Sequence, residues 1–128
     1  VDALATAGLI GAVVAHRASL SGAEGGCQAE TGAAAGMAAG AATQMLGGTP
    51  TQVGFAVALA QQGTLGLVCD PLGGLVELPC VFRNATGAAI ALAAIEMALA
   101  GISFAIPADE VIDTMGEIGR EMDVRYRE

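Results

Sequence analysis

Residues 87–106 read GAAIALAAIEMALAGISFAI, an apolar stretch made almost entirely of small and aliphatic residues. The sequence predicts one helix from Arg83 to Ile106, which is long enough on hydropathy to raise the question of a membrane span. Glu96 in its middle, the many small residues and the lack of an aromatic belt favour a buried helix instead. We therefore expect a helical domain built around this segment, with no membrane as a partner.

The segments on either side of this stretch also predict helices. Upstream, the apolar spacing predicts a helix over residues 2–18, with Asp2 as its cap, and small residues predict a second helix over 27–46 that ends at a glycine pair. Thr49 and Pro50 begin a third helix, expected to stop near Gly63 or Gly66. Downstream of Pro107, an apolar stripe on a charged segment predicts a surface helix; its members are Val111, Ile112, Met115, Ile118 and Met122.

Composition sets the class of protein. The 128 residues fit one domain (1–128), and 54% hydrophobic with 3% aromatic residues indicates closely spaced helices in a compact all-α fold. A net charge of −8 with five Lys and Arg excludes nucleic acid as a plausible partner, since nonspecific affinity for it depends on cationic side chains. Three cysteines do not make a disulfide scaffold, which favours a reducing cytoplasm.

The three cysteines are the residues best suited to chemistry. Forty-one residues separate Cys27 from Cys69 and ten separate Cys69 from Cys80, unlike the close pairs of zinc fingers. Three thiolates on a [4Fe-4S] cluster would leave one iron open to substrate. Spacing alone favours the alternative of ordinary buried cysteines. The neighbouring stretches GGCQAE, VCDP and LPCVFRN favour a cluster, because a backbone rich in turn-forming residues can bend around it. We expect Gly-, Ser- and Pro-rich loops over residues 19–26 and 69–80, between the helices.

Longer stretches around these thiols resemble a known family. SLSGAEGGCQAE (19–30), GLVCDPLGGLVELPC (66–80) followed by RNA, and DEVIDTMGEIGREMDVRYRE (109–128) resemble the α chain, or C-terminal catalytic portion, of iron-sulfur L-serine dehydratases. GGTPTQ (47–52) is similar to the family's GGSPEQ. The likeness covers essentially the whole chain, with the thiols in the same order.

The resemblance implies a lyase of amino-acid catabolism and gluconeogenesis that converts L-serine to pyruvate and ammonia. Its [4Fe-4S] cluster would be held by Cys27, Cys69 and Cys80, with the open iron binding the serine carboxylate and hydroxyl. Ser21 is our candidate for the catalytic base, by analogy with a serine base in aconitase-type chemistry. The substrate-binding candidates in the same motifs are Ser19, Glu24, Arg83 and Asn84.

Each of these roles has a structural alternative. Ser21 can simply satisfy local backbone groups, and Arg83 can cap a helix or pair with an acid. Five glycines allow close approach to a cluster or serve as ordinary turn residues: Gly22, Gly25, Gly26, Gly73 and Gly74. His16 stands, with Arg17, where the family more often has Asn-Asn, so we expect a histidine at a helix end or on the surface.

The chain also lacks segments that the resemblance implies for a complete enzyme. It has no initiator Met or basic leader, no TAPTNGAAG-like segment, no Gly-Gly-Leu-Ala tail and no β domain. We therefore expect a piece of an α chain, inactive by itself, whose partners are L-serine, the rest of the α chain and a β domain or chain, in a homo-oligomer. The alternatives are a related L-cysteine desulfidase, an iron-sulfur redox or binding module without a substrate, and a helical scaffold without metal.

Overall fold

The computed structural model describes residues 1–69 and 77–127, and all regular structure in these ranges is helical, as the sequence predicts. The α-helices are α1 (Asp2–Arg17), α2 (Gly22–Gly25), α3 (Ala33–Met45), α4 (Pro50–Gln62), α5 (Glu77–Leu99) and α6 (Ala108–Glu121). A π-helical turn (Gln28–Gly32) runs into α3, and a 3₁₀ turn (Val124–Tyr126) follows α6.

The helix α3 lies at the centre of the fold and packs against α1, α4 and α5. The main core cluster between these helices is rich in alanine; its buried members are Ala35, Ala39, Ala56, Leu59, Ala60, Ala91, Ala94, Ile95 and Ala98. Small residues permit a close approach: a Cβ added to Gly40 would lie 2.4 Å from Ile10 Cδ1 of α1. The predicted close packing is therefore confirmed.

Local capping explains the start of α4 and the end of α3. The Thr49 side chain accepts from Gln52 N–H, the Gln52 side chain accepts in return, and Pro50 occupies the first helical position. At the end of α3, Gly47 has a φ of 88° and donates to the Gln44 carbonyl, as the predicted glycine stop requires. The expected Asp2 cap is wrong: Asp2 lies inside the first turn of α1, where its charge still suits the helix dipole.

The bounds of α5 differ from the sequence prediction at both ends. The helix begins at Glu77 and not at Arg83, because Pro79 falls in the first turn, where its missing N–H costs no hydrogen bond. It ends at Leu99, where Gly101 (φ 88°) donates to the Ala98 carbonyl. Cys80 consequently lies on a helix, not in the loop that we predicted for residues 69–80.

The segment between α1 and the π-helical turn is also more ordered than predicted. Residues 19–26, which we expected to form a loop, contain the single helical turn α2. Downstream, the buried stripe of α6 matches the prediction at Val111, Ile112, Met115 and Met122, and its other face is exposed. These two segments pack against each other.

Candidate metal centre

The three cysteine sulfurs converge at one point. The Sγ atoms of Cys27 and Cys80 lie 3.7 Å apart, those of Cys69 and Cys80 lie 3.6 Å apart, and all three fall within 4.8 Å of one another. Cys27 and Cys69 are buried, and Cys80 is partly exposed. The structure thus gathers thiols from three distant parts of the chain into one group that can hold a metal.

Each thiol is carried by a different local structure. Cys27 follows Gly26, whose φ of 74° turns the chain from α2 into the π-helical turn. Cys69 follows α4, and its N–H donates to the Tyr126 carbonyl in the 3₁₀ turn. Cys80 lies in the first turn of α5. Two of the three cysteines therefore sit at helix starts, which corrects the prediction that loops carry all of them.

Gln28 connects the segments that carry Cys27 and Cys69 to each other and to α6, although sequence reasoning did not select it. Its side chain is fully buried, donates to the Met115 carbonyl at 3.0 Å and accepts from Gly66 N–H at 3.0 Å. Its own N–H donates to the Leu67 carbonyl. A polar residue directly after Cys27, in a helix of small residues, was the available signal.

The predicted substrate-binding residues Arg83 and Asn84 lie beside the thiols. Arg83 Nη1 donates to the carbonyl of Val68 at 2.8 Å, next to Cys69. Asn84 Nδ2 donates to the Cys80 carbonyl at 3.0 Å, one turn back along α5. Both contacts fix the backbone that carries a cysteine.

Ser19, Ser21 and Glu24 form a second group, on the segment before Cys27. Ser19 donates to a Glu24 carboxylate oxygen at 2.5 Å and accepts from Ser21 N–H at 3.0 Å. Ser19 and Glu24 line a cavity of about 370 Å³ together with Arg127, and none of the cysteines lines it. Ser21 precedes α2, and its side chain makes no capping hydrogen bond.

The remaining predicted residues have simpler places. Gly22 and Gly25 lie in close contacts, since an added Cβ would come within 2.8 Å of Glu30 and of Ala29 respectively. Gly73 and Gly74 lie outside the described residues. His16 is exposed in the last turn of α1, as expected for a helix-end histidine.

The Cys80 thiol stays protonated at neutral pH unless a cation binds to it. Burial, followed by hydrogen bonds with Cys27 and Cys69, raises the pKa of the Cys80 thiol to about 12. A thiolate at Cys80 is therefore unfavourable at neutral pH without a compensating positive charge, which a metal supplies while deprotonating its ligands. No histidine or carboxylate joins the group among the described residues, so three thiolates would leave one tetrahedral position open.

Three thiolates are a donor set that fits an iron-sulfur cluster. The distances between the sulfurs, however, match a site for a single metal ion. Thiolates bound at about 2.3 Å to one tetrahedral ion lie about 3.8 Å apart, close to the observed separations. A four-iron cluster places each thiolate on a different iron, so its sulfurs must lie farther apart. Cys80 is the cysteine best placed to move outward, because it is partly exposed whereas Cys27 and Cys69 are buried.

An all-α domain with a candidate three-thiolate metal centre is the class that the fold and the site define. The family described as serine dehydratase alpha chain matches residues 1–128, and this chain belongs to that family.

Three relatives illustrate the similarity. The chain is 59% identical over 125 residues to the probable L-serine dehydratase alpha chain of Bacillus subtilis, covering 98% of this chain and 42% of the relative. It is 52% identical over 122 residues to the probable alpha chain of Latilactobacillus sakei (95% and 58%) and 50% identical over 126 residues to the L-serine dehydratase of Mycobacterium tuberculosis (98% and 27%). The chain thus spans 27% to 58% of the length of these relatives.

Proposed function

We propose that this chain is the cluster-bearing part of a bacterial L-serine dehydratase, a lyase that converts L-serine to pyruvate and ammonia. The observation that carries the proposal is the convergence of Cys27, Cys69 and Cys80 in a chain that belongs to the serine dehydratase alpha chain family. The names of the relatives in Bacillus subtilis and Mycobacterium tuberculosis support serine as the substrate.

The reaction balances without an external oxidant or reductant. A base removes the α-proton of serine, the bond from Cβ to the hydroxyl oxygen breaks, and water leaves. The resulting aminoacrylate tautomerises to an imine, which takes up one water and releases ammonia, leaving pyruvate. When bound, a [4Fe-4S] cluster supplies a Lewis-acidic iron that stabilises the charge developing on the departing oxygen.

The chain's own residues would hold the cluster and orient the substrate. Cys27, Cys69 and Cys80 supply the thiolates, and the absence of a fourth ligand within the described ranges leaves a position for serine. We assign Ser21 as the base that removes the α-proton of the substrate. Its hydroxyl makes no capping hydrogen bond, and its backbone N–H donates to the Ser19 hydroxyl.

The substrate-binding assignments rest on position. Arg83 and Asn84 stand on α5 beside Cys80, where a cationic and an amide side chain suit the serine carboxylate. Ser19 and Glu24 face a cavity, where a carboxylate suits the substrate ammonium group. Arg83 and Asn84 do not line the cavity that Ser19 and Glu24 line in the described part of the chain. The proposal therefore requires one serine molecule to contact both pairs of residues.

The relatives' description as alpha chains implies a beta chain as a partner. We propose that the complete enzyme joins this chain to the rest of the α chain and to a β chain or domain, as a cytoplasmic homo-oligomer. The isolated chain is then expected to bind iron and to lack turnover.

Anaerobic reconstitution tests the cluster. With iron and sulfide we expect a brown protein with about four irons per chain, and Cys27→Ala or Cys69→Ala should abolish cluster formation.

Addition of L-serine should change the EPR signal of the reduced cluster, whereas a redox module without a substrate would not respond. Colourless protein with three reactive thiols would refute the cluster, and one bound iron per chain would assign a single-ion site. Faster turnover of L-cysteine by the complete enzyme would indicate a desulfidase.

A further inference from the structure

One side of α5 exposes large apolar side chains. Leu78, Val81, Phe82 and Leu92 are 60%, 65%, 72% and 64% exposed. Monomeric proteins seldom leave so many large apolar residues together at the surface without a partner. We call these four residues, with the alanines between them, the outer face of α5.

The four residues share one side because of their spacing. At 3.6 residues per turn, Leu78, Val81, Phe82 and Leu92 fall within a sector of roughly 120° on the helix. Ala85 and Ala89 are exposed and continue the same sector, which reaches the exposed Glu96 near the helix end. The opposite side packs on α3 and α4 through Ala91, Ala94, Ile95 and Ala98.

A lipid bilayer is a poor match for this face. α5 is long and apolar enough to cross a membrane, and only 22% of its apolar window is buried. Its inner side, however, belongs to the alanine core, and Glu96 stands exposed on the outer side. Placing α5 in lipid would remove α3 and α4 from its inner side, so a protein surface is the better occupant of the outer side.

The similarity to longer relatives identifies the protein that would cover it. This chain aligns almost completely, yet it covers 42% of the Bacillus subtilis alpha chain and 58% of the Latilactobacillus sakei alpha chain. Those relatives therefore carry a large amount of polypeptide outside the match.

We propose that the outer face of α5 is the docking surface for the part of a serine dehydratase alpha chain that lies outside residues 1–128. The proposal rests on family membership, and neither the cluster nor serine chemistry enters it. A stability measurement therefore tests it separately from the proposed function.

The experiment places the same substitutions in two settings. The first is this chain alone, and the second is the Bacillus subtilis alpha chain with residues 1–128 in place of its matched region. Leu92→Ala should change the Tm of the isolated chain by about 2 °C or less, because the residue is largely exposed there. In the longer chain it should lower the Tm by about 5 °C or more, because a buried leucine is truncated.

Controls separate this surface from others. Val124→Ala, at a residue 77% exposed between the charged Asp123 and Arg125, should leave both Tm values unchanged. Leucine-to-alanine substitution at the aligned position of the unmodified Bacillus subtilis chain gives a second measurement if the hybrid chain folds poorly. Equal small shifts in all settings would overturn the proposal.

Two further results would assign the face to other occupants and also overturn it. The first is a stable dimer of the isolated chain that Leu92→Glu converts to monomer, with no loss of Tm from Leu92→Ala in the longer chain. The second is binding of the isolated chain to phosphatidylcholine vesicles that Phe82→Glu abolishes, again with no such loss.

Discussion

The hydroxyl oxygen of Thr31 lies 3.7 Å from the sulfur of Cys27, within hydrogen-bonding reach. Thr31 is 6% exposed and sits in the π-helical turn, four residues after the cysteine. A Cβ added to Gly87 of α5 would come within 2.8 Å of the Thr31 methyl group, so that group is packed against α5. Hydrogen bonds to ligand sulfurs tune metal centres, and π-helical turns occur often at functional sites.

Thr31→Val removes this hydroxyl and keeps the side-chain shape. Because hydrogen bonds to the sulfurs help set the reduction potential of an iron-sulfur cluster, we expect the valine variant of the reconstituted protein to have a lower midpoint potential. Thr31→Ser keeps the hydroxyl and should restore most of the difference. An EPR-monitored redox titration measures all three proteins.

Thr43 provides the matched control. It is fully buried, and its hydroxyl has no hydrogen-bond partner in the part of the chain that the structure describes. Thr43→Val should leave the potential unchanged and raise the free energy of unfolding by about 1 kcal/mol, since an unsatisfied buried polar group is removed. Equal shifts in potential for both valine variants would contradict a specific role for Thr31.

Arg83→Met should loosen the segment that carries Cys69. The guanidinium donates to the Val68 carbonyl, and a charge-assisted hydrogen bond contributes about 1.5–3 kcal/mol. Losing it should raise the alkylation rate of the buried Cys69 thiol by about tenfold or more in metal-free protein, as followed by mass spectrometry. Arg125→Met, at a surface ion pair with Asp123, is the control and should not alter that rate. An unchanged rate in Arg83→Met would refute the positioning role.

Gly26→Ala should strongly destabilise the protein. Its φ of 74° and ψ of −173° lie in a region essentially confined to glycine, which costs a residue with a side chain about 1–3 kcal/mol. An added Cβ would also lie 3.0 Å from the Leu67 carbonyl oxygen. Gly54→Ala in α4 is the control, because nothing lies within 4 Å of an added Cβ and helical alanine is about 0.4–1 kcal/mol better than glycine. Thermal unfolding should therefore show a lower Tm for Gly26→Ala and a higher Tm for Gly54→Ala. A Gly26→Ala protein as stable as the parent would contradict the described turn.

Asp113→Asn should destabilise the protein at neutral pH and lose its effect in acid. Arg17 donates from two nitrogens to the Asp113 carboxylate, at 2.8 and 2.6 Å, and this hydrogen bonding lowers the carboxyl pKa. A lowered pKa in the folded state gives stability that is present above the unfolded value and is lost as pH falls through the folded value. The difference in Tm between variant and parent should thus vanish at the lowest pH tested and shrink in 1 M salt, which screens exposed pairs.

The control for this pair is Asp123→Asn. Asp123 binds Arg125 only two residues away, so its loss should cost less than the loss of the pair that ties α1 to α6. A Tm difference for Asp113→Asn that stays constant down to acidic pH would show that the carboxylate charge is not responsible.

The helix starts and stops were predictable where local chemistry sets them. Thr49, Gln52 and Gly47 act on backbone groups a few residues away, so their sequence pattern sufficed. The start of α5 was not predictable by the same reasoning, because Pro79 is compatible with both a loop and a first helical turn. Its place was decided by the packing of α5 on α3 and α4.

For the candidate site, the sequence supplied the thiols and a family resemblance, while spacing alone favoured ordinary buried cysteines. The tertiary structure decided that the sulfurs of Cys27, Cys69 and Cys80 meet, since contacts across 41 and 10 intervening residues depend on how whole helices pack. It also brought in Gln28, whose hydrogen bonds to Met115 and Gly66 arise only when distant segments are adjacent.

By itself, the sequence determined an all-α chain of small residues, because helical periodicity and capping are local properties. Only the tertiary structure decided which surfaces are buried. It covers the inner side of α5 with α3 and α4 and leaves Leu78, Val81, Phe82 and Leu92 exposed. A periodic pattern states that a side chain is apolar, whereas burial depends on which other surface reaches it.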